Sequence, residues 1–342
     1  MAAEASTLTA AVAPADPSFP PFPLLEENGG HYEQKQEQQE EQEVPHAGEI
    51  ELPVVDLEAP GDALAAACRW LGVFRLANHG VPAELSARLF ALARDLLGRT
   101  PFQEKQARPG YFWGTPALAL RVKDVNWVEG FHVALGQQRP VDDAVDPRFS
   151  EFRDVAAEYG EHMARVARKL FDAMAAALGL DADQTATYIA EGAGTLRVYR
   201  YPPCPDSDHH LGMEPHTDSS VLSIINQDLV GGLQVVHDGA WRDVAPAPAG
   251  GGDGDTLLLV NLGDMAQAIS GDAYHSVRHR VAASRDRERV SLCYFAFPQD
   301  DAVLTCSGSR YRPFSYAQFR EQVQADIKAF GSKVGLQRFL RH

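Results

Sequence analysis

Arg289-Val290-Ser291-Leu292-Cys293-Tyr294-Phe295 alternates with a period of two. As a strand it sends Arg289, Ser291 and Cys293 to one face and Val290, Leu292 and Tyr294 to the other. Similar short runs precede it. Strands are predicted near 196–201, 220–227, 232–237, 241–245, 255–262, 276–283 and 289–297. Short strands this closely spaced imply a β-sandwich or jelly roll rather than a parallel α/β sheet.

The chemistry lies on these runs and just before one of them. Glu214-Pro215-His216-Thr217-Asp218-Ser219 contains a His-x-Asp pair, and on a strand positions i and i+2 would project together. In a chain with 12 histidines such a pair is weak evidence by itself. His279, in Tyr274-His275-Ser276-Val277-Arg278-His279-Arg280-Val281, offers a third donor. Two imidazoles and a carboxylate on one face of an octahedron are the donor set of non-haem Fe(II) oxygenases, with the opposite positions left open. Arg289 and Ser291 then suit a dicarboxylate, the guanidinium gripping one carboxylate and the hydroxyl adding a hydrogen bond.

His216-x-Asp218, His279 and Arg289-x-Ser291, with Tyr201-Pro202-Pro203-Cys204-Pro205 upstream, resemble the signature of plant 2-oxoglutarate- and Fe(II)-dependent dioxygenases. The likeness runs from about Leu52 to the C-terminus. It implies a mainly β fold with flanking helices: a double-stranded β-helix (jelly-roll) core and a helical N-terminal region. It implies Fe(II) on His216, Asp218 and His279, with 2-oxoglutarate as cosubstrate and ascorbate as activator. Arg289, Ser291 and the Tyr201 phenol would contact the cosubstrate. Tyr199 stands where relatives usually place an asparagine, a departure within that pocket. The expected reaction couples oxidation of 2-oxoglutarate to succinate and carbon dioxide with oxidation of a small molecule by O2. Hydroxylation is the default outcome, and desaturation, ring chemistry or hydration stays open.

The Gly110-Tyr111 and Trp127-Val128-Glu129 stretches look more like the gibberellin oxidases, gibberellin 2-beta-dioxygenases among them, than like the flavonoid oxidases. A gibberellin is therefore the first expected substrate, with auxin or a phenylpropanoid as alternatives. A carboxylate-bearing substrate would need a cation, and Arg121, Lys123 and Arg200 are candidates. Two further readings stay open: an ascorbate-dependent oxidase of the ethylene-forming type, and a jelly-roll binding module without turnover. Other histidines have structural readings. His79 belongs to an Asn-His-Gly turn, His209 and His210 to a loop before the metal motif, and His275 to the edge of the pocket or the surface.

The 342-residue chain carries a net charge of −16, which excludes the basic footprint of a nucleic-acid binder. Residues 1–50 hold ten acids against one base, Lys35, so the remainder is only mildly acidic. The four cysteines form no C-x-x-C pair and imply neither a zinc finger nor a disulfide framework. No apolar run approaches a membrane span, and no secretory or transit leader is evident. A cytoplasmic protein is expected, with the nucleus left open.

Four regions are predicted. Residues 1–48, with the Gln/Glu run 33–43, form a disordered tail. Residues 49–190 form an N-terminal dioxygenase region, 191–300 the jelly-roll core and 301–342 a C-terminal helical closure. Within them, helices are predicted at 61–71, after Pro82, and from Phe152 to Leu178, the last with an apolar stripe closed by Gly179. Asp181-x-x-Gln184 and Ser315-x-x-Gln318 are capping boxes opening two more. The Pro246–Gly254 insertion is a surface loop.

Overall fold

The computed structural model describes residues 17–20, 44–114, 126–136, 146–190, 192, 194–208, 210–247 and 257–341. In chain order the first half contains β1 (His46–Ile50), β2 (Val54–Asp56), α1 (Gly61–Trp70), β3 (Val73–Ala77), α2 (Ala83–Arg99), α3 (Phe102–Gln106), β4 (Tyr111–Trp113) and β5 (Glu129–Ala134). Then come α4 (Pro147–Leu178), α5 (Ala182–Thr187), β6 (Thr195–Tyr201), β7 (Leu211–His216), β8 (Leu222–Gln227), β9 (Leu233–His237) and β10 (Ala240–Val244). The chain continues through β11 (Leu258–Leu262), α6 (Asp264–Ile269), β12 (His279–Ala282), β13 (Arg289–Ala296) and α7 (Tyr316–Phe330).

Two sheets face one another. The smaller has the order β1-β10-β9-β12-β7 and the larger β2-β3-β11-β8-β13-β6-β5-β4. The larger sheet takes strands from both sides of residue 190, so the N-terminal region and the jelly roll share one hydrogen-bonded layer. Alternation divides the side chains as the period of two requires. Val290, Leu292 and Tyr294 pack into the outer core with Leu196 and Val198, under α2 and α4. Cys293, Tyr199, Tyr201, Ile225 and Val281 fill the space between the sheets.

The helices follow from their caps. α4 begins at Pro147 rather than Phe152 because Asp146 accepts from the Arg148 N–H while Pro147 takes the first turn. It ends at Gly179, whose left-handed φ of 68° permits the stop. Both capping boxes are present, Asp181/Gln184 on α5 and Ser315/Gln318 on α7.

Two pieces of the stretch predicted as a disordered tail have defined places. The Pro17 carbonyl accepts from Phe102 N–H at 2.8 Å, the Ser18 carbonyl from Lys105 Nζ at 2.7 Å, and Phe19 meets Trp113 edge-on at 5.8 Å. β1 starts at His46 and pairs in parallel with β10. Proline and aromatic residues give the first piece apolar surface to bury, unlike the Gln/Glu run, which lies outside the described residues. Most of the glycine-rich insertion, residues 248–256, also lies outside them.

Candidate metal and cosubstrate site

β7 and β12 are antiparallel neighbours, and their register sets His216 directly opposite His279. The two rings lie with centroids 4.3 Å apart. Asp218 does not sit on β7, which ends at His216. The pairing of His216 with Asp218 through a shared strand face is therefore corrected. The chain turns after His216, and hydrogen bonding brings the carboxylate back. Asp218 Oδ2 accepts from Ser223 Oγ at 2.8 Å and Asn261 Nδ2 at 2.6 Å. That leaves Oδ1 aimed at the imidazoles, 3.7 Å from His216 Nε2 and 3.8 Å from His279 Nε2. One ligand atom from each residue fits within 4.8 Å of the other two.

The ring protons are placed by geometry. His216 Nδ1 lies 2.7 Å from the Glu214 carbonyl and His279 Nδ1 lies 3.1 Å from the Val277 carbonyl. A carbonyl only accepts, so each Nδ1 carries hydrogen and each Nε2 presents a lone pair. Burial and the neighbouring His279 push the His216 imidazole down to about 3, against the opposing pull of Asp218. Burial works against the Asp218 charge, but His279, His216 and the Ser223 hydrogen bond outweigh it and hold the carboxyl below its ordinary range. At neutral pH His216 is therefore an uncharged nitrogen donor and Asp218 a carboxylate, and with His279 Nε2 they form the donor set that fits Fe(II) with positions left over.

Tyr199, Tyr201, Ser291 and Arg289 converge at the other end of the same inner face. Register pairs Arg289 with Tyr201 and Ser291 with both Tyr199 and Gln227. The Arg289 guanidinium lies over the Tyr201 ring at 4.8 Å, donates to Ser291 Oγ at 3.1 Å and donates to Gln227 Oε1 at 2.8 Å. Its buried Nε has no acceptor, and Gln227 Nε2 likewise has none among the described residues. Orphaned buried donors beside a fixed guanidinium make a carboxylate-shaped gap. Tyr199 occupies the position of the usual asparagine. Its ring packs on Phe112 at 5.7 Å and on Tyr201 at 6.1 Å, and burial pushes its hydroxyl up to about 12.

Of the cations proposed for a substrate carboxylate, Arg121 and Lys123 lie outside the described residues. Arg200 is placed elsewhere. Its parity on β6 sends it to the outer face, where it meets Glu129 at 2.6 Å and Glu288 at 2.5 Å. It serves as a structural ion partner. The aromatic stretch splits between faces: Phe112 lines the inner space, whereas the Tyr111 hydroxyl donates to the fully buried Glu129. His79 Nδ1 accepts from Val81 N–H in its turn, His210 stacks near Trp127, His275 is exposed, and His209 lies outside the described residues.

Sequence reasoning missed four residues. Ser223 and Asn261 orient Asp218, Gln227 supports Arg289, and Lys333 grips the metal loop. Gln227 and Ser223, on the shared inward parity of β8, had a sequence signal, whereas Asn261 and Lys333 did not.

An enzyme of this build is a non-haem Fe(II) oxygenase. The chain belongs to the 2OG-Fe(II) oxygenase superfamily, whose family model matches residues 192–298, and the model described as non-haem dioxygenase in morphine synthesis N-terminal matches residues 52–149. It is a 2-oxoglutarate- and Fe(II)-dependent dioxygenase that oxidises a small molecule with O2. Gibberellin 2-beta-dioxygenase 8 of Arabidopsis thaliana is 36% identical over 312 residues, covering 86% of this chain and 88% of that protein. Gibberellin 2-beta-dioxygenase 6 of Oryza sativa subsp. japonica is 36% identical over 326 residues, covering 86% of each. Among solved structures, JOX2 in complex with 2OG, Fe and JA aligns with a TM-score of 0.72 at 26% identity, over 87% of this chain and 91% of that one. The rice dioxygenase for auxin oxidation aligns at 0.66 and 28% identity, over 85% of this chain and all of the other.

Proposed function

We propose that the enzyme oxidises a gibberellin, with Fe(II) held by His216 Nε2, Asp218 Oδ1 and His279 Nε2. The metal and 2-oxoglutarate supply the oxidising chemistry, and the protein supplies position and a dry wall. Arg289, Ser291 and the Tyr201 phenol hold the cosubstrate's distal carboxylate, with Gln227 steadying the guanidinium. The observation that carries the metal assignment is the convergence of three lone-pair donors whose other polar atoms are all engaged in hydrogen bonds. The gibberellin assignment rests on the 36% identity to gibberellin 2-beta-dioxygenases over most of both chains.

An auxin substrate is the second reading, favoured by the likeness to the rice auxin dioxygenase. Neither nucleic acid nor membrane is a partner in this account, consistent with the acidic charge. No helix among the described residues is long and apolar enough to cross a membrane. The four cysteines are free, which agrees with a reducing compartment such as the cytoplasm. Ascorbate would serve to keep the iron reduced.

The test is product analysis with Fe(II), 2-oxoglutarate and ascorbate across a panel of gibberellins and indole acids. A gibberellin product heavier by one oxygen atom supports the proposal. Consumption of the indole acids alone transfers the assignment to the auxin reading.

A further inference from the structure

We infer that Arg197 binds the carboxylate of the organic substrate, an inference that rests on the proposed oxidation of an apolar acid. On β6 the inner face carries Thr195, Arg197, Tyr199 and Tyr201, and Arg197 pairs across to Cys293 on β13. It therefore stands one inward position nearer than Tyr199 and Ser291 to the end where β8 begins and β13 finishes. That end holds Ser223 and Asn261, the residues that carry Asp218. Arg197 is thus nearer the metal donors than the Arg289–Ser291 anchor is.

Its charge lacks a partner. The guanidinium lies over Phe295 at 5.1 Å and donates from one terminal nitrogen to the Tyr199 hydroxyl at 3.3 Å. The buried Nε has no acceptor, and no acid among the described residues forms an ion pair with it. Asp218, the carboxylate whose charge reaches it, is committed to the metal. Arg197 is half-buried with its Nε shut away from water, and a guanidinium so placed without an acid is costly unless a ligand completes it.

The space beside it has room for a small molecule, with polar side chains and one aromatic wall. A cavity of about 590 Å³ is lined by Arg197, His132, Thr195, Phe297, Tyr316 and Arg320, within the ~300–1,000 Å³ of small-molecule sites. Tyr316 stacks on Phe297 at 5.6 Å to give an aromatic wall. The other cation, Arg320, is already held by both oxygens of Asp300 at 2.8 and 3.0 Å. Burial and the Arg197 charge hold His132 below its ordinary range, hence neutral at pH 7. Arg197 is the cavity's one unpaired cation among the described residues.

The experiment compares wild type, Arg197→Gln and Arg197→Lys, using gibberellins, indole acids, a cyclopentanone fatty acid and the methyl ester of each. KM and kcat are measured for each compound and for the cosubstrate, with circular dichroism on every variant. Wild type should prefer the acid over its ester. Arg197→Gln should raise KM for the acid about 10- to 100-fold, leave the ester and the cosubstrate within about twofold, and abolish the preference. Arg197→Lys should restore part of it, and serves alone if the glutamine variant does not fold. Gibberellins inert beside another acid showing this pattern would remove the gibberellin assignment and support the role of Arg197. Equal use of acid and ester by wild type, a preference retained in Arg197→Gln, or a loss confined to cosubstrate binding would overturn it.

Discussion

Lys333 Nζ donates at 2.6 Å to the carbonyl of Thr217, the residue between His216 and Asp218. The same ammonium lies 2.8 Å from Asp264 Oδ2 and 3.3 Å from Ser219 Oγ. Asp264 in turn donates its N–H to the Asp218 carbonyl at 2.8 Å and accepts from Ser276 Oγ at 2.8 Å. The segment after α7 thus ties the metal loop to α6 and to the stretch leading into β12. The C-terminal region bears on the site through this bond network.

Replacing Lys333 with methionine keeps most of the stem and removes the clamp. Metal affinity should fall by about 10- to 100-fold, the usual cost of losing a group that orients a ligand. Anaerobic titration of the apo-protein with Fe(II) or Co(II) measures this. Affinity equal to wild type would show that the loop holds its shape without Lys333.

Asn261→Leu removes the shorter of the two bonds to Asp218 Oδ2, leaving Ser223 alone to aim the carboxylate. Metal affinity should again fall by about tenfold or more. Ser223→Ala should do less, because its bond is the longer one. The reverse order in the same titration would refute this ranking.

Glu129 answers two buried cations, Lys105 at 2.6 Å and Arg200 at 2.6 Å, and is itself fully buried. Glu129→Leu removes the acid facing buried Lys105 and leaves Arg200 with Glu288 alone, and should destabilise the fold by about 3–5 kcal/mol. Urea unfolding at pH 7 reads the loss. Because this cluster lies on the outer face of the larger sheet, the folded fraction should bind 2-oxoglutarate as tightly as wild type.

The apo-protein should lose stability as acid is added. His216 titrates lower in the folded chain than its ordinary 6.5, at about 3. Below pH 6.5 the unfolded chain takes up the proton first, so the stabilisation is fully present above 6.5 and drains away toward 3. The ring keeps 35% of its side-chain surface exposed, so solvent screening makes the slope shallow. Asp218, also lowered, adds a loss of the same sign below its ordinary 3.8. Melting temperature against pH for wild type and His216→Gln reads the difference. Parallel curves would contradict the shift.

Much of this was legible because it depends on parity and on short range. The alternation around Arg289 and Ser291, the capping boxes at Asp181 and Ser315 and the histidine of β12 are all local patterns. Parity could have gone further. Counting back by twos from Tyr201 places Tyr199 and Arg197 inside and Arg200 outside, which would have replaced Arg200 with Arg197 as the cation facing the substrate. Asp218 was found for the wrong geometric reason, since a turn and two distant donors, not a strand face, position it. Lys333 and Asn261 were invisible because their meaning arises only where distant segments meet.

In the proposed reaction His216, Asp218 and His279, whose ligand atoms lie within 4.8 Å of one another, hold the iron at which 2-oxoglutarate is consumed together with the organic substrate. The most direct measurement is succinate formed per gibberellin consumed, in wild type and in iron-loaded His279→Ala. One succinate per oxidised gibberellin in wild type, with both products lost in the folded variant, is the predicted result. Gibberellin oxidised without succinate, or turnover that survives in His279→Ala, would contradict it.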